Sequence, residues 1–268
     1  MWRCVGLLAT LAGCGRLDFN TLASDAGSGD GQLDDSQTGD TLVCPVSFAA
    51  NMAAYWPLDE SAGAMTFVDQ SGHGHDLTCS PCPTAGIVGV VGNAASFFNS
   101  GNGYNDSIGT PSTGTLSTLT RLTVAAWVNL QMSADQAWIL SNDRDCSGCG
   151  GPYRGFSLHV KYGTTSGFKV WSGSVDTYWS VVGPAQPVNE WHFLVGTYDG
   201  ATVSFYIDGV LAQSKAAGTM QNPPSFNTSL GGMGAIPDNG MTGYLDEVMV
   251  LDRALTVGEV QDLMRGCR

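Results

Sequence analysis

From Trp191 to Gly209 apolar and polar positions alternate in two short runs. Phe193, Val195 and Thr197 alternate with His192, Leu194 and Gly196, and Asp199-Gly200 follows. Val203, Phe205 and Ile207 then alternate with Ser204 and Tyr206 before Asp208-Gly209. A period of two puts successive side chains on opposite faces of a strand. Asp-Gly between such runs signals a tight turn, because glycine accepts positive φ without steric cost. The pattern predicts strands over 191–198 and 202–208 joined as a hairpin. Arg121–Leu130 alternates as cleanly, with Leu122, Val124, Ala126, Val128 and Leu130 on one side and Thr123, Ala125, Trp127 and Asn129 on the other. Further strands are expected at 53–58, 94–98, 137–141, 155–161, 167–172, 177–182, 228–232 and 243–251, and Pro57 points to an edge position for the first. Turn-rich stretches between them argue for an all-β sandwich rather than βαβ units. One helix is expected. Thr256-x-x-Glu259 is a capping box, followed by Val260, Leu263 and Met264 on one face, and it should pack on the sandwich edge.

Composition adds compartment. The chain has 268 residues, 43% of them hydrophobic, with 36 glycines and a net charge of −13. A protein that neutralises phosphates needs Lys and Arg, so three lysines and no basic cluster argue against a nucleic-acid partner. Arg3 followed by the apolar run Val5–Ala12 reads as a signal peptide, too short to span a bilayer. Leu11-Ala12-Gly13-Cys14 resembles a bacterial lipobox, in which Cys14 is lipidated; the alternative is an ordinary secretory signal cleaved nearby. Gly15 rather than Asp after the cysteine favours the outer membrane, by resemblance to Gram-negative lipoproteins, without saying whether the domain faces periplasm or exterior. Residues 15–43 carry six aspartates among Gly, Ser, Gln and Thr, a composition that cannot offset ordering entropy by burial. They are expected to form an acidic tether between the signal segment, 1–14, and a domain over 44–268.

Six cysteines then remain: Cys44, Cys79, Cys82, Cys146, Cys149 and Cys267. An even number in an exported chain reads as disulfides, with 15 possible pairings. Cys79-Ser-Pro-Cys82 and Cys146-Ser-Gly-Cys149 also match the short spacing of zinc and redox sites. Their proline- and glycine-rich surroundings favour loop staples.

Five ordered motifs resemble laminin-G-like domains of the concanavalin A-like lectin and glucanase fold. They are Tyr55-Trp56-Pro57-Leu58-Asp59-Glu60 with Gly63; Asp69-Gln70-Ser71-Gly72-His73-Gly74-His75-Asp76-Leu77; Leu122–Val128; Trp191–Gly209; and Gly243–Val248 with Arg253-Ala254-Leu255. The resemblance covers roughly residues 50 to 265. It implies a jelly-roll β-sandwich of two antiparallel sheets with one short C-terminal helix. It implies neighbouring chain ends, hence a Cys44–Cys267 bond. It also implies a calcium site with Asp69 and Asp246 as side-chain ligands and His73 through its carbonyl. Calcium takes six to eight oxygens of mixed origin, which such a glycine-rich loop supplies; the alternative is that Asp69 closes an Asx-turn with Ser71 and Gly72. His73-x-His75 lacks an identifiable third zinc ligand.

Some members of this fold hydrolyse glucans with Glu-x-Asp-x-x-Glu on one strand. The four glutamates here, Glu60, Glu190, Glu247 and Glu259, do not form that pattern, so a non-catalytic role is expected. Aromatics are the remaining lead. Tyr153, Trp171, Tyr178 and Trp179 lie near loops and are candidates to stack on sugar rings or anchor a protein, or else to pack in the core. Trp56, Trp127 and Trp191 fall in structural motifs and are expected in the core, while His159 and His192 are expected at surface or boundary positions. The expectation is a surface-anchored module binding a glycan or a cell-surface protein, with a structural or adhesion lipoprotein lacking a small ligand as the alternative.

Overall fold

The computed structural model describes residues 44, 47–99, 107–109, 116–132, 134–143, 154–174, 177–222, 228–232 and 240–268. The expectations for Cys14, the 15–43 tether, Cys146, Cys149 and Tyr153 lie outside them. In chain order the strands are β1 (Met52–Trp56), β2 (Thr66–Phe67), β3 (Leu77–Cys79), β4 (Thr84–Val88), β5 (Asn93–Phe97), β6 (Ile108–Gly109), β7 (Leu122–Leu130), β8 (Ala134–Asp143), β9 (Gly155–Gly163), β10 (Thr165–Trp171), β11 (Tyr178–Ala185), β12 (Trp191–Tyr198), β13 (Thr202–Ile207), β14 (Val210–Ala216), β15 (Ser229–Leu230) and β16 (Gly243–Leu251). The helix α1 spans Val257–Met264.

They form two antiparallel sheets. The first runs β14-β13-β12-β7-β16-β5-β4, with β1 also paired to β16; the second runs β11-β10-β9-β8-β15-β6-β3-β2. The alternation read from the sequence decides the packing. Leu122, Val124, Ala126, Val128 and Leu130 of β7 join Phe156, Leu158, Val160, Phe168 and Val170 of the second sheet in the core between the sheets. Contact there is close enough that a Cβ on Gly196 of β12 would fall on the Phe168 ring of β10.

The other face of β7 is buried as well. Ala125 packs with Phe193, Val195, Tyr206, Met249, Leu251, Val260 and Leu263, and Trp127 leans on this second core. The helix therefore covers the outer face of the first sheet, on its central strands, and not the sandwich edge. Its capping box is present: Thr256 accepts from Glu259 N, and Glu259 accepts from Thr256 N. Trp56 lies in the main core, but Trp127 and Trp191 do not. They lie half-buried, Trp127 against Phe193 and Trp191 near Tyr244.

The expected hairpin forms, with Leu194–Tyr198 paired to Val203–Ile207. Asp208 holds its far end, accepting from Phe193 N at 2.8 Å and contacting His192 Nδ1 at 2.8 Å. Cys44 and Cys267 are bonded across 223 residues, with Cα atoms 5.3 Å apart, and Cys79 is bonded to Cys82. No helix among the described residues is long and apolar enough to cross a membrane.

Candidate functional site

Two places in the sandwich gather polar chemistry. The first is the loop after β1. Both oxygens of Asp69 are fully engaged: Oδ1 accepts from Tyr55 N (3.0 Å) and Ser71 N (2.9 Å), and Oδ2 from Ser71 Oγ (2.8 Å) and His75 N (2.9 Å). Burial would raise the carboxyl's pKa, but these four donors outweigh it and hold the pKa below its ordinary value. The loop is fixed further by the Trp56 indole donating to His75 O at 2.8 Å. His73 is exposed, and its ring faces that of His75 at 6.3 Å.

Asp246 sits on β16 with a separate set of partners. Its Oδ2 accepts from Val90 N at 2.7 Å and Val91 N at 2.9 Å, while Oδ1 is buried without a partner. Burial pushes its pKa up to about 7 against the pull of these amides, and the Glu247 and Asp59 charges add to the rise. A Cβ at Gly89 would lie 2.6 Å from Asp246 Oδ2, so the hairpin between β4 and β5 approaches this closely only with glycine there. Glu247 follows at φ 53, buried, accepting from the Tyr55 hydroxyl at 2.8 Å and ion-paired with Arg268, whose Nε lies 2.7 Å away.

A carboxylate offers about four lone-pair sites, and all four of Asp69 are taken by protein donors. Asp69 therefore does not fit the calcium role expected of it, and the Asx-turn alternative describes its geometry. Asp246 keeps one oxygen. Asp69 and Asp246 share none of their hydrogen-bond donors, and among the described residues no group of three or more His, Cys, Asp and Glu side chains is arranged to hold a metal.

The second place is the outer face of β8–β11. The register aligns Trp138 with His159 and His159 with Gly167; Ser157 lies between Ser141 and Lys169; Trp171 pairs with Tyr178. Inward neighbours of these residues, including Leu158, Phe168 and Val181, fill the core, so this row points away from it. The His159 ring meets the Trp138 ring edge-on at 5.5 Å, and Trp171 meets Tyr178 at 4.7 Å. The Lys169 ammonium lies between the indoles, 4.0 Å over Trp138 and 4.6 Å over Trp171. Trp138 is fully buried, Trp171 is buried, and Tyr178 is 44% exposed.

Three polar atoms on this face are buried without a partner: Trp138 Nε1, Ser157 Oγ and His159 Nδ1. A buried polar atom left without a partner costs about 1–3 kcal/mol. His159 is a core-like residue at 3% exposure rather than a boundary one. Burial drives its pKa down to about 3, with Lys169 the next contributor and Lys161 adding to it, so the imidazole is neutral.

Of the aromatics singled out in the sequence, the structure brings together Trp171 and Tyr178. Trp179 points to the opposite face, packs on the main core, and lies so close to Gly218 that a Cβ there would be 2.7 Å from its ring. Trp138, Ser157, His159 and Lys169 complete the face and were not legible as site residues, because strand register alone makes them neighbours.

A laminin G-like family model described as the concanavalin A-like lectin/glucanases superfamily matches residues 101–261, more than half of the chain. No curated protein matches the sequence. Among solved structures, a botulinum neurotoxin type C structure concerned with cell entry through two ganglioside molecules is similar, with TM-score 0.63 and 12% identity over 82% of this chain and 52% of that one. The binding domain of botulinum neurotoxin DC in complex with rat synaptotagmin II has TM-score 0.62 and 12% identity, over 83% and 53%. The binding domain of Paraclostridial Mosquitocidal Protein 1 has TM-score 0.60 and 15% identity, over 81% and 52%. The chain thus spans about half the length of these structures, and at such identity the likeness is one of fold. With the family model covering most of the sandwich, the chain belongs to the concanavalin A-like lectin/glucanase superfamily.

Proposed function

We propose that this protein is a non-catalytic binding module that recognises a glycan on the outer face of β8–β11. The observation that carries the reading is the 44% exposed Tyr178 ring, packed edge-on against Trp171 at the border of this aromatic row. Sugars present flat C–H faces for such aromatic rings. The similar structures lend support as binding domains, one named with gangliosides and one with synaptotagmin. A protein partner is therefore the second reading, favoured by the exposure of Tyr178 and Val182 on the edge strand β11.

The absence of catalysis is supported by how the glutamates are spent. Glu247 is held by Tyr55 and Arg268, Glu259 caps α1, and Glu60 accepts from Val68 N. These three glutamates lie on separate elements and so do not form the single-strand Glu-x-Asp-x-x-Glu arrangement of the hydrolases of this fold. Export, a lipid on Cys14 and an acidic tether over 15–43 belong to the same proposal, which places the module at an outer-membrane surface. Calcium support belongs to it through Asp246 Oδ1, which is buried without a partner, and the His73 carbonyl.

A glycan array probed with the full chain, with calcium and with EDTA, tests the reading. Expected are hits that weaken about tenfold in Tyr178→Ala, the loss of roughly one stacking contact. Hits indifferent to Tyr178→Ala would move the site elsewhere. An empty array together with capture of a protein partner would replace the first reading by the second.

A further inference from the structure

We infer that the tip of the hairpin between β4 and β5 docks onto a lipid bilayer, seating Val88, Val90 and Val91 in its interfacial layer. The inference deepens the membrane placement proposed above and rests on it for the anchor that brings the tip to the surface. The three valines are 82%, 40% and 37% exposed, gathered at one turn of the chain. Apolar side chains clustered in water mark a contact surface. Exposed Met65 and Val68 belong to the neighbouring loop, whose Ala62 lies against Gly86 of β4 and whose Asp59 lies against Gly92. From Leu77 to Asn105 the sequence holds no charged residue, in a chain of net charge −13. No Lys or Arg stands between Arg16 and Arg121, so the contact is apolar rather than an attraction to lipid phosphates.

The backbone of the tip is prepared to leave water. An N–H group that enters an apolar layer unpaired is costly. Here Gly89 N donates to Gly92 O at 3.1 Å, Val90 N and Val91 N donate to Asp246 Oδ2, and Asn93 N donates to Asp59 Oδ1 at 2.7 Å. Dehydrating the tip therefore strands none of these donors. Protein interfaces are anchored by aromatic or arginine side chains set in pockets, and this tip offers only small branched ones, which favours lipid as the occupant.

The tip also lies where the anchor would hold it. The tether proposed over 15–43 leads to Cys44, which is bonded to Cys267 in the second core, on the outer side of the first sheet. Arg268 follows Cys267 and is ion-paired with Glu247, and the adjacent Asp246 holds the tip. Tether entry and tip thus share one flank of the sandwich. Docking there turns the outer face of β8–β11, which belongs to the other sheet, away from the bilayer. Three valines bind a membrane weakly by themselves, but the tether raises their effective concentration at its surface.

The test takes the full chain, extracted from host membranes, carrying carbon-13 valine methyls and reconstituted in phosphatidylcholine nanodiscs with spin-labelled lipid. The reference is Val210, 67% exposed on β14 at the opposite edge of the first sheet from β4. Relaxation of the tip methyls is expected to be enhanced about threefold or more over that of Val210, as for groups seated in the headgroup layer. Replacing Val88 and Val91 together by asparagine is expected to return Val90 to the level of Val210, with unchanged core methyl signals showing that the variant is folded. Should it not fold, the comparison of tip and Val210 in the unaltered chain decides. Tip signals no faster than those of Val210 would overturn the inference, whether the tip lies free or is taken up by a second copy or a protein. Enhancement at Val90 that survives the double substitution would overturn it too. Intact mass separates the two readings. A chain without acyl groups on Cys14 would overturn the anchor proposed above, and the same comparison, with that chain added to the discs, would still decide the docking.

Discussion

A few side chains carry most of the argument at the residue scale. His159 is buried and neutral, so it links stability to pH. Its pKa falls from about 6.5 unfolded to about 3 folded, and between those values the unfolded chain binds the extra proton. The stability is present above pH 6.5 and is lost as pH drops toward 3. Urea midpoints should drop by an amount equivalent to roughly 2 kcal/mol between pH 6.5 and 5, and His159→Phe should flatten that slope. Asp69 is the counterpart in the loop after β1. Asp69→Asn turns an amide donor toward N–H donors and should cost about 2–3 kcal/mol, measured by chemical denaturation with and without EDTA. Residue-scale legibility was uneven. Tyr178 and Trp179 both looked like surface aromatics, yet adjacent residues of a strand must face opposite ways, and only Tyr178 shares a face with Trp171. Nothing in the sequence around Trp138 signals that His159 will lie opposite it, because that neighbourhood depends on the β8–β9 register.

The element scale shows which strands a sequence can announce. The pattern of β7, β12, β13 and β16 was visible because a core lies against them and imposes periodicity. β14 was missed: all seven of its residues are exposed at the sheet edge, so burial imposes no pattern on it. The two-residue strands β2 and β6 are too short to show any period, whereas β15 falls inside the strand expected at 228–232. The capping box gave α1, but not its seat. Alternation on β7 was read as one apolar side and one mixed side, and the small and aromatic residues Ala125 and Trp127 on the mixed side are what the helix covers. Two elements meet most tightly at Gly196. Gly196→Ala would drive a methyl into Phe168, and we expect a loss of about 1–3 kcal/mol with a lowered Tm, larger than for alanine at exposed Gly258 only if sheet contact is the cause. Gly258 sits in the first turn of α1 with open space around it, where alanine should be neutral or slightly stabilising.

At the scale of the whole molecule, a disulfide ties the start of the sandwich to its last residues. The Cys44–Cys267 bond closes a loop of 223 residues beside the second core, where Cys267 is buried. The chain-entropy model gives such a loop about 5 kcal/mol, against about 2 for the short Cys79–Cys82 loop. Replacing Cys44 and Cys267 by serine should therefore lower the denaturation midpoint much more than replacing Cys79 and Cys82. The outer face of the first sheet is occupied by α1, while the outer face of β8–β11 carries aromatic, cationic and unpartnered polar groups. That asymmetry is the core of the account. Its most direct test is a titration of the full chain, labelled with nitrogen-15 at its seven tryptophans, with the tightest glycan from the array, followed through the indole N–H signals. The account predicts that Trp138 and Trp171 shift while Trp56, deep in the core, stays in place. Shifts confined to Trp127 and Trp191 on the first sheet, or no indole shift at saturating glycan, would contradict it.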